Sequence, residues 1–262
     1  MSHPLGIEPD EYQQLEKKVL LVCQKSLDQA ESEWEYTGAA KKLVEKSAAM
    51  ESASENLVIM DSAIPSNIPG HDLVDKAKIS DFIALVCDIR KSTQRLSTTL
   101  ADASVNGIQR VFYETSALLP SLEVVIHHFG GSVTEYLGDG VLGFFPYLND
   151  DDLYNSYYAS IGCMEMVRTI VNVEIKSRYN LPPLDIGIGM ACGPAMVRKV
   201  ARRHVKAFGR CVWTASKLSG GTNLILVDEV LRGKWPSSQN GTISFRTKQL
   251  SKEVEGYKLY PQ

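Results

Sequence analysis

The chain has 262 residues, 44% of them hydrophobic and 23% charged, and a formal net charge of −3. This is the make-up of a globular protein with one ordinary core plus a small extension, and the lack of a basic excess argues against a nucleic-acid partner. No apolar run approaches the roughly 20 residues of a membrane span, and five scattered cysteines (Cys23, Cys87, Cys163, Cys192, Cys211), odd in number and without CxxC spacing, speak against a disulfide framework or a zinc site.

From Pro9 to about Lys46, Tyr12, Leu15, Val19, Val22, Cys23, Ser26, Ala30 and Trp34 recur at helical spacing between polar residues. One helix cannot bury such a stripe alone, so it must pack on the main domain or on a second copy of itself. The start, MSHPLGIEPDEY, has no charged segment leading into an apolar one, so a cytoplasmic location is expected. After the apolar run Leu57–Met60, Pro65, Pro69 and Gly70 mark a linker. The division expected is a helical extension over 1–76 and a second domain over 77–262.

Phe82–Cys87 is a continuous apolar run that reads as a buried central strand, closed by Asp88. Helical character follows from about Ser92 to Val125, with Pro120 inside or between helices. Ser132–Leu137 and Val141–Phe145 flank Gly138-Asp139-Gly140, a hairpin signal whose default form is a type I′ turn. A helix is expected over Asp151–Tyr179, strands over Leu184–Ala191 and Ala195–Val200, and a helix over Val212–Leu218. Alternating strands and helices around a central hairpin predict an α+β or α/β sandwich.

Two carboxylates carry the chemistry. Asp88 ends a strand that runs into Ile89-Arg90-Lys91-Ser92-Thr93, and backbone N–H groups at the start of the following helix suit a phosphate. A carboxylate is a hard ligand for Mg²⁺ or Mn²⁺, although an aspartate here also makes an ordinary helix cap. Asp139 stands at a glycine-flanked tip. If the two strands are neighbours, the pair forms a minimal scaffold for two metal ions on a triphosphate.

Three blocks, Phe82–Leu96 (FIALVCDIRKSTQRL), Phe129–Phe145 (FGGSVTEYLGDGVLGFF) and Leu184–Leu218, resemble the signature blocks of class III adenylate and guanylate cyclases, in that order and at about that spacing. The resemblance implies a ferredoxin-like catalytic core with a mostly antiparallel sheet, working as a homodimer with active sites at the interface. It implies two Mn²⁺ or Mg²⁺ ions per site, held by Asp88, Asp139 and the carbonyl of Ile89, with Arg90, Lys91, Ser92 and Thr93 near the nucleotide. The implied reaction is attack of the ribose 3′-hydroxyl on the α-phosphate, giving a 3′,5′-cyclic nucleotide and pyrophosphate.

The departures are informative. Where that family carries a ribose-orienting asparagine and, four residues on, a phosphate-binding arginine, this sequence has Trp213 and Lys217. Lys217 keeps the catalytic charge but not the two-pronged geometry of arginine. The base-selecting positions hold Glu135 and Lys206, an acceptor and a donor that fit guanine or uracil better than adenine or cytosine. Trp213 fills space a purine would need, or else turns into the core. In its helical extension and these substitutions the sequence resembles the bacterial pyrimidine cyclases of antiphage systems, which make cyclic UMP or cyclic CMP for a separate effector. UTP is the expected substrate. Cytidylate, guanylate and adenylate cyclases, a silent nucleotide-binding module and a diguanylate-type cyclase remain alternatives; the last lacks its Gly-Gly-Asp/Glu-Glu-Phe tip here.

Lesser candidates are Lys252, near the family's phosphate lysine, and the basic cluster Arg198, Lys199, Arg202, Arg203 and His204, read as a solvated loop. His127 and His128 read as packing or surface residues.

Overall fold

In the computed structural model the described residues are 5–36, 78–97, 103–199, 205–236, 243–249 and 254–261. Lys252, Arg202, Arg203, His204, the Leu57–Met60 run and the linker lie outside them, as do residues 37–46 of the first predicted helix.

The fold is organised by strand β1 (Lys78–Ile89), whose side chains from Phe82 to Cys87 alternate between two buried layers. Ile83, Leu85, Cys87 and Ile89 face one core, and Phe82, Ala84 and Val86 face a second. A strand covered on both sides must be apolar throughout, which is the pattern Phe82–Cys87 shows. β1 pairs antiparallel with β3 (Gly140–Pro146) on one side and β4 (Ile186–Lys199) on the other, and β2 (Ser132–Tyr136) lies outside β3. With β5 (Val205–Phe208), β6 (Leu224–Val227), β7 (Ile243–Gln249) and β8 (Glu255–Pro261) the sheet has eight strands in the order β2-β3-β1-β4-β6-β8-β7, and β5 pairs with β4. Only β4 and β6 run parallel among the described pairs. The expected α+β architecture, a mostly antiparallel sheet with flanking helices, is what forms.

The larger core is roofed by α1 (Pro9–Tyr36), α3 (Gly107–His128), α4 (Asp150–Met166) and α5 (Asn172–Tyr179). α1 packs along α3 and buries Leu15, Val19, Cys23, Leu27 and Ala30, so the expected apolar stripe is spent on the main domain. Each larger aliphatic among them contributes about 1.5–3 kcal/mol. Pro120 lies inside α3. A capping box at Asn149 starts α4: its side chain accepts from Asp151 N (2.8 Å), while the Asp152 carboxylate accepts from Asn149 N (3.1 Å). α4 runs into α5 through a π turn at Val167–Val171, which period-3.6 reasoning over Asp151–Tyr179 does not reveal. Asn180, in the left-handed region, ends the run.

The second layer holds the small side chains Ala84, Ala191, Ala195, Ala207, Cys211 and Ala215, over which α6 (Arg210–Leu218) lies close. Two short helices, α2 (Ser92–Ser97) and α7 (Glu229–Lys234), complete the described elements.

One expectation is corrected. The two strands predicted over Leu184–Ala191 and Ala195–Val200 are a single strand, β4. It pairs with β1 from Ile186 to Val197, and Pro194 sits opposite Asp81. Pro194 falls between the residues paired with β6 (Gly187–Met190) and those paired with β5 (Met196–Lys199), so on that side its missing N–H costs no ladder bond. All five cysteines are free and buried. No described helix is long and apolar enough to cross a membrane.

Candidate active site

The β2–β3 hairpin delivers Asp139 to Asp88. Gly138 takes φ 79° while Asp139 does not enter the left-handed region, so the tip follows the φ pattern of a type II′ turn rather than the type I′ expected. Leu137 N donates to Gly140 O at 2.8 Å, and Gly140 pairs with Asp88 across the β1–β3 ladder. A Cβ at Gly140 would lie 2.5 Å from Cys87 O and 2.9 Å from Asp88 Oδ1. The second glycine therefore serves close approach, not turn geometry. Ile89 N reaches the Asp139 carbonyl at 3.4 Å, closing the hairpin tip onto the end of β1.

The two carboxylates share one partly buried site. Asp88 is pushed up to about 6, first by burial and then by the negative charge of Asp139, with Arg90 opposing both. Asp139 Oδ2 is buried without a hydrogen-bond partner. An orphaned carboxylate oxygen beside a second, desolvated carboxylate is a costly arrangement for the protein alone and the donor chemistry a hard divalent cation needs. Among the described residues, no cluster of three or more His, Cys, Asp or Glu side chains forms an all-protein cage. One or two carboxylates completed by substrate phosphates and water is the usual Mg²⁺ arrangement, and the pair fits it.

Arg90 stands in as a counter-ion: its Nη1 donates to Asp88 Oδ2 at 3.1 Å and to Ser219 O, just past α6, at 3.2 Å. Lys91 is exposed in the left-handed region (φ 60°), and Ser92 and Thr93 open α2, a helix of only six residues with none buried. What secures α2 is a buried ion cluster the sequence reading missed. Arg95 donates to both oxygens of Glu114 (Nε–Oε2 3.0 Å, Nη2–Oε1 2.9 Å), and Arg110 Nε adds a further bond at 2.9 Å. Arg95 also reaches the carbonyls of Pro182 and Pro183. The i,i+4 spacing of Arg110 and Glu114 was the available signal.

Glu135 and Lys206 are brought together directly: Lys206 Nζ donates to Glu135 Oε2 at 2.8 Å, and Ala207 N to Oε1 at 3.1 Å. A bulge between Val133 and Glu135 in β2 makes this meeting possible. Trp213 does not turn into the core; it is 48% exposed on α6, with Lys217 Nζ 5.7 Å from its ring centroid. Arg198 and Lys199 end β4 beside β5. His127 pairs with Glu123 at 3.4 Å, and His128 lies edge-on to Phe129.

No family model and no curated protein matches this sequence. Solved structures do match. The guanylyl cyclase Cya2 superposes with TM-score 0.57 at 21% identity, over 70% of this chain and 93% of that one. The adenylyl cyclase CyaB from P. aeruginosa gives 0.59 at 18% identity, over 71% and 97%. The guanylate cyclase domain of RhGC from Catenaria anguillulae, solved in complex with GTP, gives 0.52 at 18% identity, over 71% and 98%. The chain therefore has the fold of class III cyclase catalytic domains.

Proposed function

We propose that this chain, built on the fold of class III cyclase catalytic domains, is a nucleotide cyclase that converts UTP to 3′,5′-cyclic UMP and pyrophosphate as a homodimer. The buried, partnerless oxygen of Asp139 beside Asp88 carries the reading. In the reaction the ribose 3′-hydroxyl loses its proton to solvent, its oxygen forms a bond to the α-phosphorus, the bond from that phosphorus to the α–β bridging oxygen breaks, and pyrophosphate leaves. Asp88 and Asp139, with the Ile89 carbonyl, would hold a divalent cation, Mn²⁺ or Mg²⁺, which would supply Lewis acidity toward the 3′-hydroxyl and the triphosphate. Arg90, which bonds both Asp88 and the Ser219 carbonyl, would have to release Asp88 for that carboxylate to serve as a ligand. Lys217 supplies a point charge to the α-phosphate.

Glu135 and Lys206 read the base. In the free chain each satisfies the other; with uracil between them, Glu135 accepts from N3–H and Lys206 donates to O4. The exposure of Trp213 supports a pyrimidine, because an indole on the surface of α6 takes room beside the nucleotide. Phe208 and Trp213, each 48% exposed, give the second copy an apolar surface to cover. A role as a second-messenger synthase in antiphage defence rests on the resemblance of sequence alone.

Mass spectrometry of products from each of the four ribonucleoside triphosphates with Mn²⁺ tests this reading. Cyclic UMP is the expected product. Cyclic GMP or cyclic AMP alone refutes the pyrimidine assignment, and tight triphosphate binding without turnover refutes the cyclase.

A further inference from the structure

We propose that Glu123 and Tyr136 form a positioning pair that fixes Asp139 over Asp88 and so sets the affinity of the site for its divalent cation. This rests on the metal reading above. β2 is a short outer strand of five residues whose ladder partner among the described strands is β3. An outer strand with a bulge in its middle has few bonds to hold its end still, yet that end leads directly into the Asp139 tip.

The last two residues of β2 are gripped from opposite faces of the sheet. Glu135 pairs with Leu142, which faces the α6 layer, and is bonded there to Lys206 and Ala207. Tyr136 pairs with Val141, which faces the large core, and its hydroxyl donates to Glu123 Oε2 of α3 at 2.6 Å. A phenol–carboxylate bond of that length is of the strong, charge-assisted kind. His127 Nε2, 3.4 Å from Glu123 Oε1, holds the carboxylate below its usual range, so it stays an acceptor. Burial, followed by the Glu123 carboxylate, pushes the Tyr136 phenol up, so it stays a donor.

The first grip belongs to the base-reading residues and is given up when a base enters. The second does not touch the nucleotide. It anchors the hairpin to α3 while Glu135 and Lys206 change partners, keeping the two aspartates in register through that change. Positioning groups behind metal ligands usually govern affinity by about 10–100-fold, and a group acting through the strand belongs at the lower end.

The test is binding of Mn²⁺ alone, without nucleotide, to the full chain, read from the electron paramagnetic resonance signal of free Mn²⁺. Tyr136→Phe and Glu123→Ala should each weaken binding about tenfold. Glu123→Gln, whose side-chain carbonyl still accepts the phenol proton but without the charge, should weaken binding by less than Glu123→Ala does. In turnover, Tyr136→Phe should raise the half-saturating Mn²⁺ by the same factor and leave the KM for the triphosphate at saturating metal unchanged, a split that general loosening of the fold does not produce. Wild-type affinity in Tyr136→Phe overturns the positioning pair while sparing the metal site. A wild-type protein that binds no Mn²⁺, or binds it equally well as Asp139→Asn, overturns the metal reading and this inference together. Should Glu123→Ala melt early, Tyr136→Phe decides, since it removes a single oxygen.

Discussion

Replacing Asp88 by asparagine should make the metal-free protein more stable while destroying its function. Burial and the neighbouring Asp139 carry the Asp88 carboxyl from 3.8 to about 6 in the folded chain. A shift of that size corresponds to about 3 kcal/mol against the native state at full strength. The side chain is 30% exposed, and solvent screening reduces the figure to about 1–2 kcal/mol. Below pH 3.8 both states are protonated and the penalty is absent; between 3.8 and about 6 the unfolded chain releases the proton first, so stability falls as pH rises; above about 6 the penalty is complete. Asparagine keeps an oxygen for Arg90 and removes the charge. In EDTA at pH 8, thermal melts of Asp88→Asn should lie about 5 °C above wild type, given about 2–4 °C per kcal/mol at this chain length. The difference should shrink toward zero as the pH approaches 4. Added Mn²⁺ should raise the wild-type midpoint and leave the variant unmoved. A variant melting at or below wild type at pH 8 in EDTA would refute the electrostatic reasoning.

Glu114→Ala strands Arg95 and Arg110 without their shared carboxylate and should cost about 3–5 kcal/mol in urea unfolding; a loss under 1 kcal/mol would show the cluster is not needed. Gly140→Ala forces a methyl against the Cys87 carbonyl, where the neighbour is backbone and cannot yield, and should abolish the Mn²⁺-induced rise in melting temperature. Lys217→Ala should lower kcat about 100-fold with little change in KM, read from initial rates of pyrophosphate release. An unchanged kcat would move the α-phosphate contact to another residue.

The elements that position the site were legible because their side-chain patterns are set by simple burial. Phe82–Cys87 is apolar on both faces because both are covered, and the Gly138-Asp139-Gly140 tip sits between two strand-like runs. The meeting of Asp88 and Asp139 followed from making those strands neighbours. Other features depend on distant contacts that local pattern does not encode. Gly193-Pro194 reads as a break, but β1 is long enough to carry β4 straight through it. The π turn is a single wider turn of five residues inside a continuous helical run, too short to mark the sequence pattern. Sequence left Trp213 open between core and surface; α6 buries Cys211, Thr214, Ala215 and Leu218, and Trp213 lies off that face, so the ring stays outside. Glu123 and Tyr136 lie thirteen residues apart on a helix and a strand, with no motif to join them.

The bulge in β2 has a consequence for how this stretch can evolve. Val133 stays opposite Gly143 and Glu135 opposite Leu142, so Thr134 is a surplus residue that the ladder steps over. The two flanks are thereby independent in register. A lineage can gain or lose one residue at that point without turning Glu135 away from Lys206, whereas the same change at Glu135 or beyond would put it on the opposite face of the sheet.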